Sequence, residues 1–216
     1  MVDYINTSQP VMSDETFRLL RDFIYEHSGI FFPDNKKAQL ENRLALRIRA
    51  NGLEDFDKYY YLLRYDPDAS QELKALFDSV TTNETSFFRS PPQFQAFQEK
   101  ALPEIIESRT AAGNLSLRIW SAGCSTGDEP YSLAIVVREV LGDETGSWDV
   151  KIAASDISEK ALRTARAAVY SEYTLRSVPP EIRKKYFIQE GQQYRVTDEI
   201  RTLVEIGYLN LNDQKQ

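Results

Sequence analysis

The stretch that most restricts the fold is residues 117–130 (LRIWSAGCSTGDEP), where an apolar run gives way to small residues and then to a helical pattern. Residues 117–121 predict a short strand, and Ala122-Gly123-Cys124-Ser125-Thr126-Gly127 a small-residue turn. A helix begins around Asp128-Glu129-Pro130, because proline suits a first helical turn and Leu133, Val136, Val137, Val140 and Leu141 then form one apolar stripe. Residues 148–154 predict the next strand, ending in Ser155-Asp156, and Ser158 is placed to cap a helix through about residue 168. Strand, glycine turn, helix and strand with a terminal acid make the first half of a Rossmann-type nucleotide unit.

The turn also limits its ligand. Small side chains at a strand-to-helix turn let a ligand approach the backbone at a helix N-terminus. The spacing is Gly123-x-x-x-Gly127, so the GxGxxG dinucleotide pattern is not met. Asp128 and Glu129 stand where a pyrophosphate would lie, and two carboxylates there repel phosphate strongly at short range. An uncharged or cationic ligand is expected at that end. Asp156 is placed to accept hydrogen bonds from a ribose diol, although many strand-terminal acids only cap the next helix. A phosphate-free nucleoside with a positive centre meets these conditions, and S-adenosylmethionine is one.

Upstream, about ninety residues read as helices. Residues 14–27 carry Phe17, Leu20, Phe23 and Ile24 on one face between the capping candidate Ser13 and the stop Gly29, and residues 36–50 carry Leu40, Leu44 and Ile48. Helices are also predicted over 55–63 and 71–80, followed by a polar, aperiodic loop over 81–89 and a helix from 93 to about 107. The helix over 36–50 is basic on its other side, with Lys36, Lys37, Arg43, Arg47 and Arg49 against Glu41. Such a face usually only covers a helix surface, but Lys36, Arg43 and Arg47 share one side and could meet an acidic partner. Near the other end, residues 185–188 and 193–196 predict a hairpin around Gly191, and 202–211 a further strand.

Composition removes whole classes. A net charge of −7 argues against a nucleic-acid binder, and 42% hydrophobic residues against a disordered tract. One cysteine, Cys124, and one histidine, His27, exclude a disulfide framework and CxxC or multi-histidine metal sites, so no metal is expected. The segment MVDYINTSQPVM is no basic-then-apolar leader, and no run of ~18 apolar residues follows, so a soluble, cytoplasmic protein without membrane insertion is expected.

The motif TTNETSFFR, followed about thirty residues later by IWSAGCSTGDEPYSLAI and then by ASDIS, resembles the CheR-type chemoreceptor protein-glutamate O-methyltransferases, over a span from about Asp14 to the last residues. The resemblance implies an α/β protein: an all-helical N-terminal receptor-docking domain with its linker loop (1–90), then a Rossmann-like class I methyltransferase domain (91–216) containing a small antiparallel β-subdomain (182–201). It implies S-adenosylmethionine as methyl donor and S-adenosylhomocysteine as product. Residues matching Asn83, Thr85 and Arg89 hold the donor's methionine end, those matching Glu129 and Asp156 line the tail and ribose pockets beside the Ala122-Gly123 turn, and those matching Asn210 and Leu211 contact the adenine side. Lys36, Lys37, Arg43 and Arg47 then become the surface that docks on the acidic cytoplasmic helical bundle of a receptor.

No catalytic residue is assigned. A glutamate acceptor, with a reference pKa near ~4.3, is already a carboxylate at neutral pH and needs no general base. Family members that bind a receptor tether peptide carry a longer glycine-rich loop in the subdomain; the segment YFIQEGQQYRV is short, so independence from a tether is expected. Members also continue past the asparagine-leucine strand into further strands. The first strand is therefore expected to lack a neighbour on one side, as in a fragment, the ordered part of a longer chain, or a chain completed by a second copy. Two other readings stand beside this one: a donor-binding docking or sensory module without turnover, and a methyltransferase for a different acceptor.

Overall fold

The computed structural model describes residues 10–213; the N-terminal segment considered above falls largely outside them. Two compact units are drawn from the chain, one from Met1–Thr82 together with Asn210–Gln216, the other Asn83–Leu209.

The first unit is all helical: α1 (Asp14–Ser28), α2 (Lys37–Ala50), α3 (Phe56–Tyr65) and α4 (Ser70–Val80). Local chemistry sets the ends. The Ser13 hydroxyl accepts the Thr16 N–H at 3.0 Å, Asp55 accepts the Lys58 N–H at 2.7 Å, and Gly29 closes α1 in the left-handed region at φ 72°. The stripes expected on α1 and α2 are buried, packed with Phe56, Tyr59, Leu63, Leu76 and Val80.

The basic side of α2 is not simply solvated. The Arg47 guanidinium pairs with both carboxylate oxygens of Glu72, and the Tyr59 hydroxyl donates to the same carboxylate at 2.6 Å. Arg43 donates to the carbonyl of Val80 and to the Thr82 hydroxyl, closing the C-terminus of α4, where unpaired carbonyls attract cations. Lys37 pairs with Asp14 at 2.5 Å, and Lys36 and Arg49 are exposed. Arg43 and Arg47 thus also tie α2 to α4 and its exit, because a guanidinium fork meets two acceptors at once, which a lysine would do less well.

The second unit opens with α5 (Pro91–Ala96), which passes through a π-type turn (Phe97–Ala101) into α6 (Leu102–Ala111). The helix expected over 93–107 thus starts earlier, with Pro91 and Pro92 in its first turn, and ends later. Pro103 has no N–H to return to the preceding turn, and the looser turn before it absorbs that defect. Next come β1 (Ser116–Ala122), α7 (Asp128–Leu141), β2 (Asp149–Asp156) and α8 (Glu159–Ala167). A short β3 (Val169–Ser171), α9 (Pro180–Tyr186), β4 (Phe187–Glu190), β5 (Gln193–Val196), α10 (Asp198–Arg201) and β6 (Val204–Tyr208) complete it.

Two three-stranded sheets result. The larger has the order β1-β2-β6, all parallel, with Ala122 opposite Ser155 and Asp156 opposite Tyr208. Among the described residues β1 pairs only with β2. The smaller sheet is antiparallel, in the order β3-β5-β4, and contains the expected hairpin with Gly191 at φ 64°. Three sequence expectations are corrected here. The strand over 185–188 begins at Phe187, because α9 runs to Tyr186; the strand over 202–211 spans only Val204–Tyr208; and β3 extends the subdomain upstream of residue 182. Leu117, Ile135, Val137, Ile152, Phe87, Tyr186 and Val196 share one core.

Glu72 carries a pH signature. Burial raises its pKa, but hydrogen bonds from Arg47, Tyr59 and Asn51 outweigh that and hold it below the usual carboxylate value. Stability from this group is complete above the unfolded carboxyl pKa and is lost as pH falls through the folded one. We predict that Glu72→Gln costs about 1–2 kcal/mol at pH 7, read by urea denaturation, and that the gap to wild type closes as the solution is acidified.

Candidate donor-binding site

The site grows out of the parallel pairing of β1 and β2. Ala122, the last residue of β1, lies opposite Ser155, so the chain leaves β1 beside the end of β2. The Ser155 carbonyl accepts the N–H groups of both Gly123, at 2.8 Å, and Cys124, at 2.9 Å. The Asp156 carboxylate completes the fastening: one oxygen accepts the Ser125 N–H at 2.8 Å and the other the Ser158 N–H at 2.8 Å. Each oxygen keeps a second lone pair, so two acceptor positions remain for a diol. Asp156 therefore holds the backbone on both sides of the turn and is 8% exposed.

The two glycines serve different ends. Gly123, at φ 78°, has nothing within 4 Å of where a Cβ would stand, so its backbone faces open space. Gly127, at φ 91°, lies against α8 and β3: a Cβ there would sit 2.9 Å from the Ala165 Cβ and 3.0 Å from the Tyr170 hydroxyl oxygen. That hydroxyl in turn donates to the Thr126 carbonyl at 2.7 Å.

The two acids at the start of α7 part company. Glu129 is exposed and accepts the Ser121 hydroxyl at 2.7 Å. Asp128 is fully buried; one oxygen accepts the Thr126 hydroxyl at 2.5 Å and the other has no protein partner. Burial pushes the Asp128 pKa up. Of these two acids, only Glu129 is exposed.

The segment Asn83–Arg89 lies against the same turn. The Asn83 side chain donates to the Ser158 hydroxyl at 3.3 Å, and its carbonyl accepts the Ser125 hydroxyl at 3.2 Å. Phe87 is fully buried, its ring edge-on to Tyr170 and Phe187 with centroids 4.9 and 5.0 Å apart. Phe88 adopts φ 52°, a left-handed conformation that costs a bulky residue roughly 1–2 kcal/mol. The exposed Arg89 donates to the Glu84 carbonyl at 2.7 Å, closing the loop on itself, and Thr85 is half-buried within it.

Asn210 and Leu211 follow directly on β6, whose exit is tied to the second strand by the Leu209 N–H donating to the Asp156 carbonyl at 3.1 Å; the Asn210 amide donates to the His27 carbonyl at 2.6 Å, and Leu211 is exposed. Cys124 is buried and its thiol is pushed up to about 12, first by burial and then by the Asp156 charge, so it is an inert small residue of the turn. Sequence reasoning passed over Ser121, Ser125 and Ser132, whose hydroxyls bind the site together, and Trp120, an exposed indole that donates to the Ser155 hydroxyl at 3.0 Å. The one available signal was the density of serine around the glycine turn. Among the described residues no cluster of acids, histidine and cysteine could hold a metal, and no helix is long and apolar enough to cross a membrane.

A parallel sheet whose first strand ends in a glycine turn, whose second ends in an acid, and whose first helix shows a single carboxylate defines a Rossmann-like site for a phosphate-free nucleoside. Comparison with known proteins names the class: residues 83–216 match the CheR methyltransferase SAM-binding domain and residues 15–81 the CheR methyltransferase all-alpha domain. The chain is 33% identical to the chemotaxis protein methyltransferase of Borreliella burgdorferi, over 97% of this chain and 74% of the relative. It is 35% identical to that of Salmonella typhimurium, over 97% and 70%, and 35% identical to that of Escherichia coli, over 95% and 69%. The chain belongs to the CheR methyltransferase family, an enzyme family with S-adenosylmethionine as methyl donor.

The glycines make a contrast that can be measured. Gly127→Ala meets both a left-handed backbone and a wall, and should cost about 2–4 kcal/mol in urea denaturation. Gly123→Ala meets only the first and should cost about 1–2 kcal/mol.

Proposed function

We propose that this protein transfers the methyl group of S-adenosylmethionine to glutamate side chains of chemoreceptors, forming glutamyl methyl esters, and does so without a receptor tether peptide. The observation that carries the donor half is the exposed Glu129 carboxylate beside an unobstructed Gly123 backbone and the Asp156 acceptors. A cationic sulfonium with an ammonium tail suits that charge, and a ribose suits the acid. Asn83, Thr85 and Arg89 take the methionine end, with Arg89 leaving the Glu84 carbonyl to grip the donor carboxylate through paired hydrogen bonds.

The chemistry asks little of side chains. An ionised glutamate oxygen attacks the methyl carbon, the carbon–sulfur bond breaks, and its electron pair neutralises the sulfonium. No proton moves, so no general base is required. Alignment and partial removal of water from the carboxylate are what the protein supplies.

Receptor docking is supported by exposed cations on and just before α2, with Lys36 in the turn that precedes the helix and Arg49 near its end, together with Lys37 at its start. Arg43 and Arg47 contribute by holding α2 against α4. Tether independence is supported by the short turn at Gly191 between β4 and β5.

One assay tests both halves. The chain is incubated with methyl-labelled donor and a receptor cytoplasmic fragment, with and without the receptor's C-terminal peptide. Base-labile label at equal rates is expected. Base-stable label defeats the glutamate acceptor, label only with the peptide defeats tether independence, and bound donor with no label points to a module without turnover. Arg89→Lys should weaken donor affinity at least tenfold by calorimetry, and an unchanged Kd removes Arg89 from the site.

A further inference from the structure

The segment that carries Arg89 and the helix that carries Glu129 are joined by one hydroxyl. Ser132 is fully buried in the second turn of α7. Its hydroxyl donates to the Asp128 carbonyl at 2.7 Å and accepts the Phe88 N–H at 3.1 Å. Phe88 is the residue held at φ 52°, the last before Arg89. Its neighbours restrain it from both sides. The Phe87 ring is locked in the core and its N–H reaches the Thr174 carbonyl at 3.4 Å, while the Phe88 ring packs edge-on against Phe94 with centroids 5.2 Å apart.

Those packing contacts set where the rings lie. The backbone between Phe87 and Arg89 has a further restraint in the hydrogen bond that the Phe88 N–H donates. An aromatic residue released from its partners would relax out of the left-handed region, because the clash between its Cβ and the backbone is removed that way. Such a rotation at Phe88 would swing Arg89 away from its present direction. The Phe88 N–H donates to the Ser132 hydroxyl, and that oxygen is anchored to the helix turn bearing Glu129.

We propose that Ser132 is a positioning residue for donor binding: its hydroxyl holds Phe88 in the left-handed conformation and so aims Arg89 at the same ligand that Glu129 faces. The proposal rests on the donor-site reading above and adds to it a residue that touches no donor atom. It accounts for a bulky residue kept in a strained conformation beside a ligand-binding arginine, where strain persists only if its surroundings over-determine it.

The test separates aiming from folding by changing the residue that needs to be aimed. Glycine adopts a positive φ without strain, so Phe88→Gly makes the hydroxyl's support unnecessary. Affinity for S-adenosylhomocysteine is measured by calorimetry for wild type, Ser132→Ala, Phe88→Gly and the double variant, with amide hydrogen exchange at residue 88 followed in the unliganded protein. Ser132→Ala alone should raise Kd about tenfold and speed exchange of the Phe88 amide at least tenfold. In the Phe88→Gly background the same change should alter Kd less than threefold.

A tenfold loss that persists undiminished in the Phe88→Gly background, or a Ser132→Ala protein with unchanged Kd and a protected Phe88 amide, overturns the proposal. Should Ser132→Ala not fold, Ser132→Cys, with a similar size and a weaker hydrogen bond, should raise Kd about threefold, and an unchanged value counts against the assignment. If wild type binds no S-adenosylhomocysteine, the donor-site reading itself fails. The exchange arm then still decides whether Ser132 holds the loop.

Discussion

The Asp156 carboxylate is the fastening on which the candidate site depends. A chain leaving the end of a parallel strand loses its ladder partners at once, and each buried N–H left unpaired would cost free energy comparable to a lost hydrogen bond. Here the Ser155 carbonyl takes the first two amides of the turn and Asp156 takes Ser125 and Ser158. The loop bearing Asn83 is then secured to those same residues, Ser125 and Ser158. One side chain thus organises the glycine turn, the start of α8 and, through them, the segment that ends in Arg89.

Charge in both units is sorted by burial more than by sequence neighbourhood. Asp128 and Glu129 are adjacent in the chain, yet the helical period turns one inward and one outward, since successive residues are about 100° apart around the axis. Burial pushes the pKa of the inward acid up, while the outward one stays exposed at the surface. On α2 the guanidinium groups of Arg43 and Arg47 satisfy the part-buried Glu72 carboxylate and the carbonyl end of α4, pairings that a helical wheel does not show.

The strongly periodic elements were legible in the chain. Phe17, Leu20, Phe23 and Ile24, then Leu40, Leu44 and Ile48, fell where the 3.6-residue period puts them, because an amphipathic helix has one way to hide such a stripe. The glycine turn was legible too, since few chains pass from strand to helix through six small residues. The short elements were not. β3 is three residues long and α10 four, below any period a window can register, and both owe their form to pairing or packing with distant segments. The π-type turn before Pro103 and the early start of α5 likewise depend on how prolines are accommodated in an otherwise helical run.

What the sequence by itself determined was the list of parts: a helical unit, a Rossmann-like half with its turn and acid, and the motif that matches a methyltransferase family. It determined these because periodicity, small-residue turns and capping are short-range properties, written within a few turns of chain. Tertiary structure alone decided that β6 pairs with β2 and not with β1, that Asp128 is hidden while Glu129 is shown, and that a serine in α7 supports a strained phenylalanine 44 positions earlier. Those outcomes depend on which distant groups become neighbours, and hydrogen-bond satisfaction in a packed interior selects among arrangements that the linear order leaves equivalent.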